Sequence, residues 1–317
     1  DKELRFVYEA GPCGYQIYRH LDAKGIHCSV VAPSMIPRRS GDRIKTDRRD
    51  AINLVRLFRA GELTSIYVPT PEDEAIRDLL RCRDDMRRFE RKARQRLLSF
   101  LLRHGHQYSG KKHWTKGFYT WLATVRFSHS AQQVTLQEYI DVTDECSERI
   151  KRITQQIQIH VEEWSRAPFV KAYQALRGVS IIVAATVVAE IGDMNRFQSP
   201  KQLMAYLGLI PSEHSSGKTV RRGPITKTGN SHVRRVLIEA AWTYKMQARV
   251  STILLKRQKG LPKSVCDISW KAQTRLCARY RRLYARGKSR QTVVTAIARE
   301  LSAFIWAIDK EMQLAIL

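Results

Sequence analysis

Two long stretches of this sequence repeat apolar residues every three or four positions, and that spacing predicts helices much longer than average. The first stretch lies within 79–100 and the second within 136–164. The repeating residues are Leu79, Cys82, Met86, Phe89, Ala93, Leu97 and Phe100, then Leu136, Tyr139, Thr143, Cys146, Ile150, Ile153, Ile157, Val161 and Trp164. A long helix with one narrow apolar seam is unstable alone. The two helices are therefore expected to pair with each other or with another subunit. We predict that 71–170 is a helical coiled-coil and dimerisation region, with a small helical tip at 104–135.

The residues before these helices alternate strand and helix signals. Residues 4–8 and 26–31 are short β-prone runs, and 15–21 and 47–60 show helical spacing. A β-α-β-α order is typical of a parallel or mixed sheet flanked by helices. We therefore predict an α/β domain at 1–70.

The residues after the long helices form a third region, 171–317, that is predicted to be mostly helical. Helices are expected at 179–191, from Ser199 to Gly208, at 231–246 and at 293–308. The intervening segment 211–230 is polar and contains glycine, so it is predicted to be a loop.

The charge of the chain is unusually positive. It carries 56 Lys and Arg against 30 Asp and Glu, a net charge of +26. Residues 205–290 hold 20 of these cations and only 3 acidic residues. A polyanionic partner is the natural interpretation, because each phosphate that a cation neutralises releases counterions. The alternative is a solvated basic face.

The predicted nucleic-acid contacts all lie in this basic segment. They are Lys218, Arg221, Arg222, Lys227, Arg234, Arg235, Arg279, Arg281 and Arg282. Trp270, Tyr280 and Tyr284 are interleaved with the arginines and are candidates for stacking on unpaired bases. Aromatic residues at helical spacing are more often part of a core.

Three carboxylates are candidates for a magnesium site. Glu9 follows the first predicted strand, and Asp47 and Asp50 share one face of the first turn of a predicted helix. Oxygen ligands of this kind suit Mg²⁺. On spacing alone Asp47 is equally a helix cap, Asp50 an ion-pair partner of Arg43 or Arg49, and Glu9 a surface residue.

The segment 211–218 contains Ser212, Ser215 and Ser216, with a glycine and several cations close by. A serine that attacks a phosphodiester needs a proton acceptor and positive charge near the reacting phosphate. His214 is a candidate base, and a carboxylate or a metal-bound water is the alternative. The composition does not distinguish the three serines, and such loops are also common without a catalytic role.

Other classes of protein are disfavoured. No apolar run is long enough to cross a membrane, and no secretory signal is visible. The six cysteines form no pair with zinc-binding spacing. We therefore expect reduced thiols, mostly buried, in a cytoplasmic protein.

Taken together, these segments resemble the DEDD transposases of the insertion-sequence 110 type, described as bridge-RNA-guided recombinases and related to pilin-gene invertases. The amino-terminal match is Tyr8-Glu9-Ala10-Gly11 with Gly14-Tyr15, then Lys45-Thr46-Asp47-Arg48-Arg49-Asp50-Ala51. The carboxy-terminal match runs from about 175 to 246. It includes Tyr206-Leu207-Gly208-Leu209-Ile210-Pro211, Ser216-Gly217, Thr226-Lys227-Thr228-Gly229-Asn230 and Arg234-Arg235.

The resemblance implies a fold and a set of site residues. Residues 1–70 would be an RNase H-like (RuvC-like) domain that carries Glu9, Asp47 and Asp50 as the second, third and fourth acids of the DEDD quartet, with Mg²⁺. The first acid would precede Glu9 on a separate strand, so we expect this chain to be truncated at its amino terminus or an ordered region to begin here. Residues 171–317 would be the transposase domain, with Ser216 as the nucleophile.

The resemblance also implies partners and an activity. The protein would be a homo-oligomer, dimeric or tetrameric, that cuts and rejoins target and donor DNA under the guidance of a non-coding bridge RNA. It would be cytoplasmic in a bacterium or archaeon, and nucleoid-associated during activity. Two alternatives remain at this point: a metal-dependent, resolvase-like nuclease without a covalent intermediate, and a non-catalytic RNA- or DNA-binding scaffold.

Overall fold

A computed structural model of the chain describes residues 4–37, 46–217 and 219–316. They belong to two compact units, divided between Thr70 and Pro71. The first unit contains the four predicted elements: β1 (Arg5–Glu9), α1 (Gln16–Asp22), β2 (His27–Val31) and α2 (Asp47–Arg59).

The two strands of the first unit are parallel, with Arg5 opposite His27 and Glu9 opposite Val31. The connection through α1 makes this arrangement possible, because parallel strands need a crossover. In the part of the first unit that the structure describes, the sheet has these two strands. The α/β prediction for 1–70 is consistent with this arrangement, and the RNase H-like fold stays a prediction.

The second unit begins with the long helices α3 (Pro71–Arg103) and α5 (Ser130–Glu163), and the short helix α4 (Lys116–Leu122) lies between them. α3 and α5 are antiparallel. Near their shared base the Trp164 indole donates to Asp73 at 3.0 Å, and further out the Ser147 hydroxyl donates to Glu90 at 2.7 Å. The predicted pair of long helices is therefore present within one chain, and a coiled-coil geometry stays a prediction.

The predicted seam is correct for α5 and partly wrong for α3. On α5, Leu136, Thr143, Cys146, Ile157 and Val161 are buried as expected. On α3, Cys82 and Phe89 are exposed and Met86 is half-buried. There the contact with α5 is polar: the Arg83 guanidinium donates to the Thr154 hydroxyl at 2.7 Å. Apolar spacing predicted the helix correctly and its buried face incorrectly over 82–89.

The remainder of the second unit is mostly helical. It contains α6 (Ala167–Tyr173), α7 (Ile181–Ile191), α8 (Pro200–Tyr206), α9 (Ser231–Ala241), α10 (Thr252–Gln258), α11 (Lys263–Ala285) and α12 (Arg290–Ile316). Ser199 caps α8 as its sequence predicts, because its side chain accepts the Gln202 N–H at 3.5 Å. The long helix α11 was not predicted. None of the described helices is both long and apolar enough to cross a bilayer.

One apolar core joins the base of the long helices to the carboxy-terminal helices. Ile76 and Leu80 of α3 and Ile157 and Val161 of α5 belong to the same buried cluster as α7, α9 and α12. A second, aromatic cluster fills the outer end of the pair around Leu97, Phe100 and Phe118. All six cysteines are free thiols, and Cys28, Cys146 and Cys277 are buried.

Candidate active site and nucleic-acid interface

The segment 211–230 is a β-hairpin rather than the predicted loop. β3 (Pro211–Glu213) pairs antiparallel with β4 (Arg222–Ile225), and the His214 N–H extends the pairing by donating to the Arg221 carbonyl at 2.9 Å. The sequence does not show the alternation of apolar and polar residues that indicates a strand, because both strands are short, largely exposed and rich in polar residues.

The two ends of the hairpin are fixed against each other at its base. A Cβ on Gly208 would collide with the Thr228 backbone, and a Cβ on Gly229 with the Tyr206 carbonyl. Both glycines have φ near +60°, which favours glycine. The Arg234 guanidinium donates to the carbonyls of Leu207 at 2.9 Å and Thr228 at 2.8 Å. Arg234 therefore holds the base of the hairpin closed.

A buried carboxylate connects this base to the long helix α3. Glu190 of α7 accepts two hydrogen bonds from Arg81, at 2.7 and 2.9 Å, and one from the Asn230 amide at 2.7 Å. Asn230 in turn caps α9 by accepting the Val233 N–H at 3.0 Å. Burial alone would raise the pKa of Glu190, but the Arg81 and Asn230 interactions lower it below 4.5.

The tip of the hairpin carries Ser216. Ser216 and Thr219 exchange two backbone hydrogen bonds of 3.1 and 3.0 Å, which makes the turn narrow, and Gly217 adopts φ of 56° within it. Ser216 is exposed. The structure does not describe Lys218, so this predicted phosphate contact lies outside the described residues.

The hairpin distinguishes the three serines that the composition left equivalent. The Ser215 hydroxyl donates to Glu213 at 2.8 Å, and the Ser212 side chain lies against Gly223, where a Cβ would collide with it. Within the described part of the chain, the Ser216 hydroxyl makes no hydrogen bond. Ser216 is thus the exposed serine whose hydroxyl is available to a ligand.

Glu213 is a member of this site that the sequence interpretation missed. It accepts hydrogen bonds from Ser215 and, at 3.3 Å, from Arg222. These bonds lower the pKa of the Glu213 carboxyl, so it is a carboxylate at neutral pH. Recognising 211–225 as a hairpin would have placed Glu213 opposite Arg222.

The predicted metal ligands lie on neighbouring elements of the first unit. Glu9 is the exposed last residue of β1, and α2, which carries Asp47 and Asp50 in its first turn, packs against β1. Thr46, not Asp47, caps α2 by accepting the Arg49 N–H at 3.3 Å. Among the residues that the structure describes, no three acidic, histidine or cysteine side chains form a group that could hold a metal ion. Lys45 of the motif and Arg43 lie outside the described residues.

The predicted nucleic-acid contacts differ in whether other residues of the chain already bind their charged groups. Arg234 serves the hairpin base, Arg235 lies 2.7 Å from Asp84, and Arg279 lies 2.8 Å from Glu300. The remaining described members are Arg221 and Arg222 on the hairpin, Lys227 at its base, and Arg281 and Arg282 on α11. Arg221, Arg281 and Arg282 are exposed and make no ion pair within the described residues.

The candidate stacking residues lie in two different environments on α11. Trp270 and Tyr284 are roughly half exposed, whereas Tyr280 is buried in the core. The ring of Tyr284 stacks on that of Tyr280 with centroids 6.3 Å apart. Trp270 and Tyr284 therefore remain candidates for base stacking, and the buried Tyr280 packs against the ring of Tyr284.

Comparison with known proteins identifies relatives along almost the whole chain. A family described as "Transposase IS116/IS110/IS902 family" matches residues 171–253. The putative transposase y4qE of Sinorhizobium fredii is 50% identical over 310 residues, covering 98% of this chain and 76% of the relative. The transposase for insertion sequence element IS1533 of Leptospira borgpetersenii is 34% identical over 291 residues, covering 90% and 84%.

A more distant relative is named for a different activity. The pilin gene-inverting protein of Moraxella bovis is 23% identical over 316 residues, covering 97% of this chain and 80% of the relative. The similarity therefore extends to a protein named for DNA inversion.

Proposed function

The chain belongs to the IS116/IS110/IS902 transposase family, and we propose that it cuts and rejoins DNA through a covalent bond between a DNA phosphate and Ser216. The Ser216 Oγ attacks the phosphorus, a new P–Oγ ester forms, and the bond to one deoxyribose oxygen breaks. The serine proton passes to a base and then to the departing oxygen. Because the ester retains the phosphodiester energy, attack by another strand end rejoins the DNA without ATP.

The observation that carries this proposal is the state of the Ser216 hydroxyl. It is exposed at the tip of a hairpin whose base is fixed by Gly208, Gly229 and Arg234. A nucleophile held on a rigid support loses little orientational entropy when DNA binds. Ser215, one residue away, has its hydroxyl engaged by Glu213.

Charge around Ser216 supports the same role. Arg221 and Arg222 lie on the opposite strand of the hairpin and are exposed. Guanidinium groups are suited to hold phosphate oxygens, and positive charge stabilises the negative charge that grows on the phosphate during attack. His214, two residues before Ser216 on the approach to the tip, is our candidate base.

We place Mg²⁺ in the proposal as an ion shared between protein and DNA. Mg²⁺ is commonly bound by one or two carboxylates together with phosphate oxygens, so the bound DNA would supply part of its ligands. Its carboxylate ligands would come from among Glu9, Asp47 and Asp50. When bound, the ion neutralises charge on the reacting phosphate.

The partners in the proposal are a non-coding bridge RNA that pairs with target and donor DNA, and further copies of this chain, as a dimer or tetramer. The basic segment 205–290 supports a polyanionic partner. The serine hairpin and the three carboxylates belong to different units, so assembly of the full site is proposed to depend on this oligomer. We propose a cytoplasmic location, with association to the nucleoid during activity.

We predict that Ser216→Ala abolishes covalent attachment to DNA. Labelled donor and target DNA, with the candidate bridge RNA and Mg²⁺, are incubated with the protein and resolved on a denaturing gel. The adduct should fall by about 10³-fold or more, because no other side chain replaces the nucleophile. Ser215→Ala is the matched control, since it removes a neighbouring hydroxyl and should leave the adduct in place.

The other outcomes separate the competing functions. An adduct that persists in Ser216→Ala would refute the assignment of the nucleophile. Hydrolysed ends without any adduct would indicate a metal-dependent, resolvase-like nuclease, and omission of Mg²⁺ would then abolish cleavage. Binding without cleavage would indicate a nucleic-acid-binding scaffold.

A further inference from the structure

A second basic surface lies on the outer half of α3 and the segment that follows it, in a stretch that contains none of the predicted nucleic-acid contacts. Residues 87–116 contain 10 Lys and Arg and a single acidic residue, Glu90. This charge density exceeds that of 205–290. Glu90 is itself engaged, since Arg94 donates to it at 2.8 Å and the Ser147 hydroxyl at 2.7 Å.

This surface continues a face of α3 that is buried nearer the base. One side of α3 is formed by residues spaced three, four or seven positions apart. They are residues 80, 84, 87, 91 and 98. Leu80 is in the main core, and Asp84 lies 2.7 Å from Arg235 of α9. Beyond Asp84 the same side presents Arg87 and Arg91, both exposed. Cations therefore line this face from the point where the packing against α9 ends.

A notch with an aromatic wall lies on this face. It has a volume of about 270 Å³ and is lined by Arg87, Glu90, Arg91, Arg94, Gln95, Leu98 and Trp114. The guanidinium of Arg94 lies 4.7 Å from the centre of the Trp114 ring. Trp114 has φ of 63°, a left-handed conformation that a bulky residue rarely adopts and that is typical of ligand-binding positions.

Arg94 of the notch is paired with Glu90. Arg87 and Arg91 of the notch, and Lys92 and Arg96 outside it on the same helix, make no ion pair with any described residue. Arg87 and Arg91, and likewise Lys92 and Arg96, are four residues apart on α3, where like charges destabilise a helix. A bound polyanion would relieve this repulsion. In the chain without a ligand, these like-charged pairs only destabilise the helix.

We propose that this face of α3 binds an unpaired strand of RNA, with its phosphates on Arg87 and Arg91 and a base against Trp114. A basic groove combined with an aromatic ring suits single strands, because the bases of a duplex are stacked and inaccessible. From Asp84 to the end of α3 the face extends roughly 30 Å, enough for several nucleotides. The inference deepens the proposed function, in which the chain carries a bridge RNA as well as DNA.

The test measures binding of a labelled 20-nucleotide oligouridine RNA by fluorescence anisotropy at several salt concentrations. All proteins carry Ser216→Ala, and the RNA titrations contain no DNA, so failure of the proposed serine chemistry cannot affect the result; duplex DNA is titrated separately. Arg87→Gln/Arg91→Gln should weaken binding about tenfold and reduce the slope of log Kd against log salt by about 1.4, or about 0.7 for each lost contact. Trp114→Leu should weaken binding about tenfold with the slope unchanged.

The matched control is Arg149→Gln/Arg152→Gln, which removes the same charge from an exposed part of α5 where acidic residues are interspersed. It should leave both affinity and slope unchanged. Equal effects of the two double variants would overturn the proposal, as would a loss of duplex DNA binding equal to the loss of RNA binding. If a variant fails to fold, RNA containing 4-thiouridine is crosslinked to the Ser216→Ala chain: crosslinks within 87–116 support the proposal, and crosslinks confined to 205–290 overturn it.

Discussion

At the scale of single residues, Glu190 connects parts of the chain that are distant in sequence. Its side chain is 2% exposed and binds both Arg81 of α3 and Asn230 at the base of the serine hairpin. A buried carboxylate is costly unless it is paired, and here it is paired on both sides. The position of the hairpin therefore depends on contacts between residues that are distant in sequence, since Glu190 is 40 residues from Asn230 and 109 residues from Arg81.

We predict that Glu190→Gln lowers the free energy of unfolding at pH 7 by about 2 kcal/mol, because the charged hydrogen bonds are lost inside the protein. The folded pKa of Glu190 is below its ordinary value of 4.5, so its stabilisation is present above about pH 4.5 and lost as pH falls through the folded pKa. Urea unfolding at a series of pH values should show this acid-sensitive part disappear in the variant.

Glu239→Gln is the control for that measurement. Glu239 is an exposed carboxylate that lies 3.0 Å from Arg235, and surface pairs contribute little. It should change the free energy of unfolding by less than about 0.5 kcal/mol. Equal losses in the two variants would mean that Glu190 has no special role.

At the scale of elements, α3 presents two different exposed faces. One is the basic face of Arg87 and Arg91. The other is an apolar stripe of Cys82, Met86 and Phe89, of which Phe89 is 54% exposed. The stripe lies on the opposite side of the helix from the basic face, so a second copy of the chain can cover it and leave the basic face accessible.

We predict that Met86→Glu/Phe89→Glu converts the proposed oligomer to a smaller species on size-exclusion chromatography. Neither residue belongs to the buried clusters of the second unit, so circular dichroism should be unchanged. Val134→Glu, an exposed apolar position at 61% on α5, is the matched control and should elute as the unmodified chain does. An unchanged elution volume for the double variant would show that the oligomer does not use this stripe.

At the scale of the whole molecule, the two units differ greatly in what they bury. The second unit has one continuous core that runs from α3 to α12. Among the described residues of the first unit, the buried apolar side chains are Cys28, Val30, Val31, Leu54 and Pro69. Two strands and two helices with so small a core are marginal.

We therefore predict that a fragment of residues 71–317 unfolds cooperatively, with Tm within about 3 °C of the main transition of the 317-residue chain. Residues 1–70 alone should show no cooperative transition. A fragment of residues 104–317 is the control: it lacks α3, which supplies Ile76 and Leu80 to the core, and should not fold. Folding of that shorter fragment, or failure of 71–317, would contradict this division of stability.

The sequence by itself determined the elements with strong local signals. Repeats of three and four residues gave the long helices, the Ser199-Pro200 pair gave the start of α8, and the β-α-β-α order of 1–70 matched all four elements. These features depend on interactions between residues that are close along the chain, so the local spacing of residue types predicts them. The family, too, was recognisable from short motifs.

Only the tertiary structure decided which of those residues act together. It placed Phe89 outside the seam, because a polar contact with α5 replaces the apolar one nearby. It formed a hairpin from 211–225, and so distinguished Ser216 from Ser215 and brought Glu213 beside Arg222. It also joined Glu190 to Arg81 and Asn230. These contacts join residues that are far apart in the chain. Local spacing cannot predict them, because the burial and hydrogen bonds that create them form only when the elements pack together.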